Sequence, residues 1–403
     1  MTTTQNTRNR FSRRQILRTA MALTATGCLP WDAIRARAAE SFRSKKQLTF
    51  HSEKPLNGEP NLGELVKSNI TPLEHFYVRN HGPIPEIAND ACSLSLEGFV
   101  GPTQTLSLND LATKFKQVTI EATMTCAGNR RTEMSAQKAI KGVQWKEGAI
   151  GNATWTGPLL NDVLAQGKIS SDIQHVWFEG ADPITEPDGS VAPFGASIPI
   201  KKALTIHKDL PNVILALQMN GQPLTTEHGA PVRMVVPGYI GARSVKWLKR
   251  IILSDKTSPN HYLADAYKII TADEKRPVHD LKPIYEFPIN ACVCEPAKDS
   301  TLKAGEQTIR GYALPVGETG SQIAKVEISL DEGKTWSEAN LDTPSRAFTW
   351  RLWSSKQKLT PEVKSILVRA TDALGNVQPQ TTPWNTKGYL QNSWHRCPVT
   401  VQA

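Results

Sequence analysis

Several protein classes are excluded by what this chain lacks. Six cysteines among 403 residues are too few for a disulfide scaffold. No run of about 18 or more apolar residues occurs, so no membrane-spanning helix is expected. No Cys-x-x-Cys-His stretch occurs, so no covalent c-type haem is expected, and the length leaves no room for a separate haem domain. Internal repeats and low-complexity tracts are missing too. With 39% hydrophobic and 21% charged residues, disorder, collagen and coiled coil are excluded. A globular chain of this length reads as two domains.

Acidic residues are the scarcer charge, giving a formal net charge of +9. Most of the excess sits at the start. Residues 1–38 hold Arg8, Arg10, Arg13, Arg14, Arg18, Arg35 and Arg37 against Asp32, which leaves only +3 for the rest. A nucleic-acid partner therefore loses its support. Ser12-Arg13-Arg14-Gln15-Ile16-Leu17-Arg18, a mildly apolar run from Thr19 to Leu29 and the small-x-small site Ala36-Arg37-Ala38 read together as a twin-arginine export signal over 1–38. That route carries folded proteins, often with a cofactor already inserted, into the periplasm. Gly27-Cys28 offers lipidation as the alternative to cleavage at Ala38. Cleavage would leave Cys92, Cys126, Cys292, Cys294 and Cys397, an odd number, so one thiol stays unpaired in an oxidising compartment.

Residues 40–75 read as a polar entry segment, and 40–285 as one domain of mixed strands and helices. Val118, Ile120, Ala122 and Met124 alternate with polar residues, the period of a half-buried strand ending at Cys126. Ser107-Leu108-Asn109-Asp110 reads as a capping box. Leu159, Leu160, Val163 and Leu164 form a helical stripe closed by Gly167. Val213–Leu217 and Val232–Val236 are buried-strand runs, followed by Asn220-Gly221 and Pro237-Gly238 turns. From 286 to 403 the pattern becomes short alternating strands: Val326/Ile328/Leu330, Phe348/Trp350/Leu352 and Ile366/Val368/Ala370, with turns between. This reads as an Ig-like β-sandwich, making the fold class α+β. Cys292-Val293-Cys294 reads as two core positions on one strand face, too close together for a zinc or redox motif.

Cys126 stands at a strand end in Cys126-Ala127-Gly128-Asn129-Arg130-Arg131. A thiol among fixed positive charges suits a soft-metal ligand or a nucleophile, although a lone cysteine is more often a buried core residue. The hexapeptide resembles the cysteine loop of the sulfite oxidase family of molybdenum enzymes. The resemblance extends to Tyr77-Val78-Arg79-Asn80-His81, Gly142-Val143-Gln144-Trp145, Ala149-Ile150-Gly151-Asn152-Ala153-Thr154-Trp155 and His228-Gly229-Ala230-Pro231-Val232-Arg233. It continues through Gly241-Ala242-Arg243-Ser244-Val245-Lys246-Trp247 and Trp384-Asn385 to Asn392-Ser393-Trp394-His395, so it spans about residues 70–400 in order.

That resemblance implies a sulfite-oxidase-type molybdopterin-binding domain, followed by a sandwich that forms a homodimer. It makes Cys126 the protein thiolate on molybdenum, which would explain the unpaired thiol. It assigns Arg79, Asn80, His81, Asp182, Ser197, His228, Arg233, Ser244 and Lys246 to the pterin and its phosphate; a buried phosphate needs Arg and Lys donors. It assigns Arg79, Arg131 and Lys387 to a small oxyanion, Trp145 to the site wall and Tyr267 to the active-site tyrosine. Lys387 stands where the vertebrate enzymes have Arg, exchanging a planar fork for a point charge, and weaker sulfate inhibition is expected from it. The implied reaction is oxidation of sulfite to sulfate, with electrons leaving to an external acceptor such as a cytochrome c. The same cofactor acting on sulfane sulfur, nitrate or a sulfoxide is the alternative. A non-catalytic exported binding protein, which would purify without molybdenum, is the reading from another class.

Overall fold

The computed structural model describes residues 47–87, 93–185, 189–317 and 319–403; the export-signal reading over 1–38, with Cys28, and Cys92 lie outside them. Strands dominate and the helices are short, so the α+β fold class holds, with a catalytic unit followed by a β-sandwich. No helix among the described residues is long and apolar enough to cross a membrane.

The catalytic unit is built on two main sheets. One runs Gln104–Ser107, Ser93–Glu97, Arg250–Ser254, His175–Thr185, Val191–Pro199, with one parallel pairing between Arg250–Ser254 and Ser93–Glu97. The other runs Gln222–Pro223, Gln218–Met219, Ile150–Pro158, Gln117–Thr125. The alternation read over Val118–Met124 is the last of these strands, and its end delivers Cys126. The capping box also forms: Ser107 Oγ accepts from Asp110 N at 3.1 Å, the Asp110 carboxylate accepts from Ser107 N at 2.9 Å, and the helix Leu108–Thr113 follows. Asn220 and Gly221, with φ of 53° and 70°, make the turn that this dipeptide announces.

The segment read as a polar entry is structured. Leu48–Glu53 and Leu56–Pro60 form a hairpin extended by Val78–Arg79, and all five residues from Leu56 to Pro60 are buried. Its polar side chains are interior partners. Glu59 accepts from Lys146 N and Gly148 N, each at 2.9 Å, and lies 2.7 Å from His51 Nε2. Buried carboxylates of this kind survive only when hydrogen-bonded, so polarity here signalled an internal brace.

The C-terminal sandwich packs Asn290–Glu295, Gly305–Leu314, Arg351–Leu359 and Asn340–Leu341 against Ser300–Lys303, His395–Gln402, Ser365–Asp372, Ile323–Ser329 and Ser337–Glu338. In its first strand Ala291 and Val293 enter the sandwich core, whereas Cys292 and Cys294 enter the catalytic core. The two thiols do share a strand face. Phe348 departs from the alternation: the strand begins at Arg351, and Phe348 takes a left-handed φ of 59°.

Candidate active site

The loop after Gln117–Thr125 is pinned from every side. Cys126 N donates to Ala149 O at 2.9 Å, Leu390 N to Ala127 O at 2.8 Å and Arg130 N to Lys146 O at 2.7 Å. Asn129 reaches into the sandwich: its Nδ2 donates to the Tyr312 hydroxyl at 3.1 Å, and that hydroxyl donates to Glu147 O at 2.9 Å. Arg130 is fully buried and left-handed, φ 66°, a conformation that costs a non-glycine residue about 1 kcal/mol or more. Its guanidinium donates twice to Glu133, at 2.6 and 2.7 Å, and once to Asn290 Oδ1 at 2.7 Å. Burial alone would raise the Glu133 carboxyl, but the Arg130 charge and hydrogen bonds outweigh it and hold that carboxyl below its ordinary value. Next to it, hydrogen bonding and charge from His395 overcome burial and pull Glu147 down to about 2. The sandwich therefore forms the foundation of the cysteine loop.

Above the loop lies a cleft enclosing about 670 Å³, part of it open to solvent. Cys126, Arg79, Asn80, His81, Asp182, His228, Arg233, Ser244, Lys246 and Tyr267, all singled out in the sequence, line it together. The Cys126 sulfur accepts from Gly128 N at 3.4 Å. Arg233 is buried and knits the walls, donating to His228 O at 2.9 Å and Ser244 O at 3.0 Å. Desolvation lowers its guanidinium to about 10. Lys246 Nζ donates to Asn80 Oδ1 and to Glu227 O, while Nδ2 of Asn80 is buried with no partner among the described residues. Burial raises the Asp182 carboxyl above its ordinary value.

Tyr267 has a left-handed φ of 46°, and its hydroxyl lies 2.8 Å from His81 Nε2. Burial, then the charges of Arg79 and Lys246, hold His81 well below the usual imidazole range. A neutral imidazole has one donor and one acceptor nitrogen, so the tautomer of His81 sets which of the two groups donates. Desolvation keeps that phenol protonated, well above its ordinary value.

Other singled-out residues sit elsewhere. Arg131 opens the helix Arg131–Gln137 beside the cleft, with Nε donating to Lys387 O at 2.9 Å and Nη1 to Val143 O at 2.7 Å. Lys387 has an exposed side chain and meets the site through its backbone carbonyl. Trp145 is buried behind the cysteine loop, edge-on to His51 at 5.0 Å. Ser197 lies outside the cleft lining, where its hydroxyl accepts from Ser258 N at 3.2 Å and sits 3.4 Å from His175 Nδ1. Phe76, Tyr77, Met124, Phe194, Glu227 and Trp247 line the cleft and were not singled out, although Tyr77 and Trp247 stand inside quoted motifs.

The donor set suits a molybdopterin. A soft thiol faces the cleft, cations and hydroxyls surround it, and an unpartnered amide N–H remains for a polar ring. Cys126 would hold the metal; Arg79, Asn80, His228, Ser244 and Lys246 would hold the pterin and phosphate.

Residues 81–262 match the oxidoreductase molybdopterin binding domain, and 281–402 match the Mo-co oxidoreductase dimerisation domain. The mitochondrial sulfite oxidase of Rattus norvegicus is 41% identical over 368 residues, covering 88% of this chain and 66% of that one, so the chain spans just under two thirds of that relative. The Gallus gallus sulfite oxidase is 39% identical, covering 87% and 77%, and the Arabidopsis thaliana sulfite oxidase 35%, covering 87% and 93%. The sulfane dehydrogenase of Paracoccus pantotrophus shares the fold, with a TM-score of 0.72 at 23% identity over 88% of each chain. This chain belongs to the sulfite oxidase family of molybdopterin oxidoreductases.

Proposed function

We propose that this protein oxidises sulfite to sulfate at a cysteine-held molybdenum, and that its electrons pass to an external acceptor such as a c-type cytochrome. One observation carries the reading: the Cys126 thiol opens onto a cleft walled by Arg79, Arg233 and Lys246, with Arg131 beside the cysteine loop. Sulfite is small and doubly charged, so fixed cations around a soft metal ligand are what its binding requires. Oxidation adds one oxygen atom from water and releases two protons and two electrons. The bound molybdopterin supplies the oxygen transfer and the two-electron capacity. The chain's own part is positional. Arg79 and Arg131 orient the anion, the neutral His81 fixes the Tyr267 hydroxyl, and the buried wall excludes bulk water.

Export to the periplasm by the twin-arginine signal over 1–38, a chain without haem and a homodimer through the sandwich belong to the same reading. The family's dimerisation model over 281–402 supports the last point. Reduction of ferricyanide by sulfite, with molybdenum content measured on the same sample, tests the activity. Loss of that activity in Cys126→Ser is the result expected. Full metal loading without sulfite turnover would overturn the substrate.

A further inference from the structure

A turn of chain around Lys387, 256 residues downstream of Arg131, packs along one side of that residue. Asn385 closes the turn: its Oδ1 accepts from Tyr389 N at 3.0 Å and its Nδ2 donates to Tyr389 O at 2.9 Å. Lys387 O takes the Arg131 Nε–H. Gly388, with φ 60°, lets the backbone pass the Arg131 stem, where a Cβ would come within 2.7 Å of Cγ. Leu390 N then ties the turn to Ala127 of the cysteine loop at 2.8 Å.

Within this turn the Tyr389 ring does two things. It lies under the Arg131 guanidinium, 5.3 Å from centroid to Cζ, and stacks on Tyr267 at 5.1 Å with 11° between planes. Arg131 spends Nε and Nη1 on backbone carbonyls, while no described residue takes Nη2. Nη2 is directed along the cysteine loop, 2.6 Å from where a Cβ on Gly128 would sit, and Gly128 N is the group that donates to the Cys126 sulfur. A guanidinium held by two hydrogen bonds in its plane can still tilt; an aromatic ring beneath the cation restricts that freedom. Burial raises the Tyr389 phenol, and the charges of Arg131, Cys126 and Arg79 act on it, so the ring lies within the field of the site.

We infer that Tyr389 is a positioning residue for the substrate anion: its ring, stacked on Tyr267, limits the movement of the Arg131 guanidinium above it and so holds Nη2 beside the cysteine loop. This rests on the sulfite reading above. The aromatic face performs the role, not the hydroxyl.

The test uses molybdenum-loaded wild type, Tyr389→Phe, Tyr389→Leu, and Tyr389→Leu combined with Arg131→Lys beside Arg131→Lys alone. Sulfite kinetics are read together with the sulfate dissociation constant by calorimetry. Tyr389→Leu should raise the sulfite KM and the sulfate dissociation constant by a common factor, roughly fivefold to thirtyfold. Its molybdenum content should stay near wild type. Tyr389→Phe should remain within about twofold, on the premise that a phenyl face stacks as well. In the Arg131→Lys background, which has no planar cation to stack, the leucine should add nothing further. The inference falls if Tyr389→Leu leaves sulfate binding unchanged, if Tyr389→Phe loses as much as Tyr389→Leu, or if the leucine effect persists in full beside Arg131→Lys. If fully loaded wild type binds sulfate but does not turn over sulfite, the substrate reading fails and the sulfate constants still decide the role of Tyr389. If wild type binds no sulfate, both fall.

Discussion

Replacing Arg130 by Met tests whether the cysteine loop rests on its buried network. The guanidinium is fully buried and makes three short bonds, two to Glu133 and one to Asn290 of the sandwich. Methionine fills similar volume but strands the half-buried Glu133 carboxylate with Gln391 Nε2, at 3.0 Å, as its main donor. Breaking a buried pair from one side costs about 3–5 kcal/mol. Glu133 keeps some access to water, which favours the lower end, and Asn290 loses a bond worth about 1 kcal/mol. The expected destabilisation is therefore about 3–4 kcal/mol in urea unfolding. The double variant Arg130→Met with Glu133→Leu removes both charges and should recover most of that loss, a non-additive result. A cost below about 1 kcal/mol for Arg130→Met, or a double variant no more stable than the single one, would refute the reasoning.

Acidification should weaken the fold. The unfolded chain binds a proton at each histidine near pH 6.5, whereas folded His81 and His175 resist it, chiefly through burial. Between the unfolded and the lowered folded pKa values, stability therefore falls as pH falls, by up to about 1.4 kcal/mol per pH unit and per site. Urea midpoints between pH 7 and 5 should show this slope, and His81→Gln should flatten it; equal slopes in both proteins would contradict the assignment. Cys292 and Cys397 are buried, with burial the main cause that pushes each thiol up to about 12, and burial likewise holds Cys294 well above its ordinary value. Native protein treated with iodoacetamide should carry no label at these three positions by mass spectrometry, and labelling without denaturant would contradict their packing. Lys387→Arg should change sulfate inhibition by less than about threefold, because the backbone carbonyl, not the exposed side chain, meets Arg131; a tenfold tightening measured by inhibition kinetics would return the role to the side chain.

Local patterns carried much of the architecture. The alternation before Cys126, the capping box at Ser107, the Asn220-Gly221 turn and the shared face of Cys292 and Cys294 all depend on neighbours in the chain, and all form as read. What failed depends on distant partners. Asn57 and Glu59 look like solvent-facing polar residues until Arg79, Asn80, Lys146 and Gly148 supply their hydrogen bonds. Phe348 keeps the strand period in sequence but breaks it in φ. The cleft residues were legible only through family resemblance, since no periodicity distinguishes His81 or Arg233 from a core position. Even resemblance left Ser197 beside His175 rather than in the cleft lining. Tyr389 carried no local signal, because its role arises from a turn that folds back onto Arg131.

The most direct test of the account is sulfite-dependent ferricyanide reduction by protein whose molybdenum content has been measured. The account predicts rapid reduction by wild type, and none by Cys126→Ser even where that variant still folds. Undiminished activity in Cys126→Ser, or none in fully loaded wild type, would contradict it.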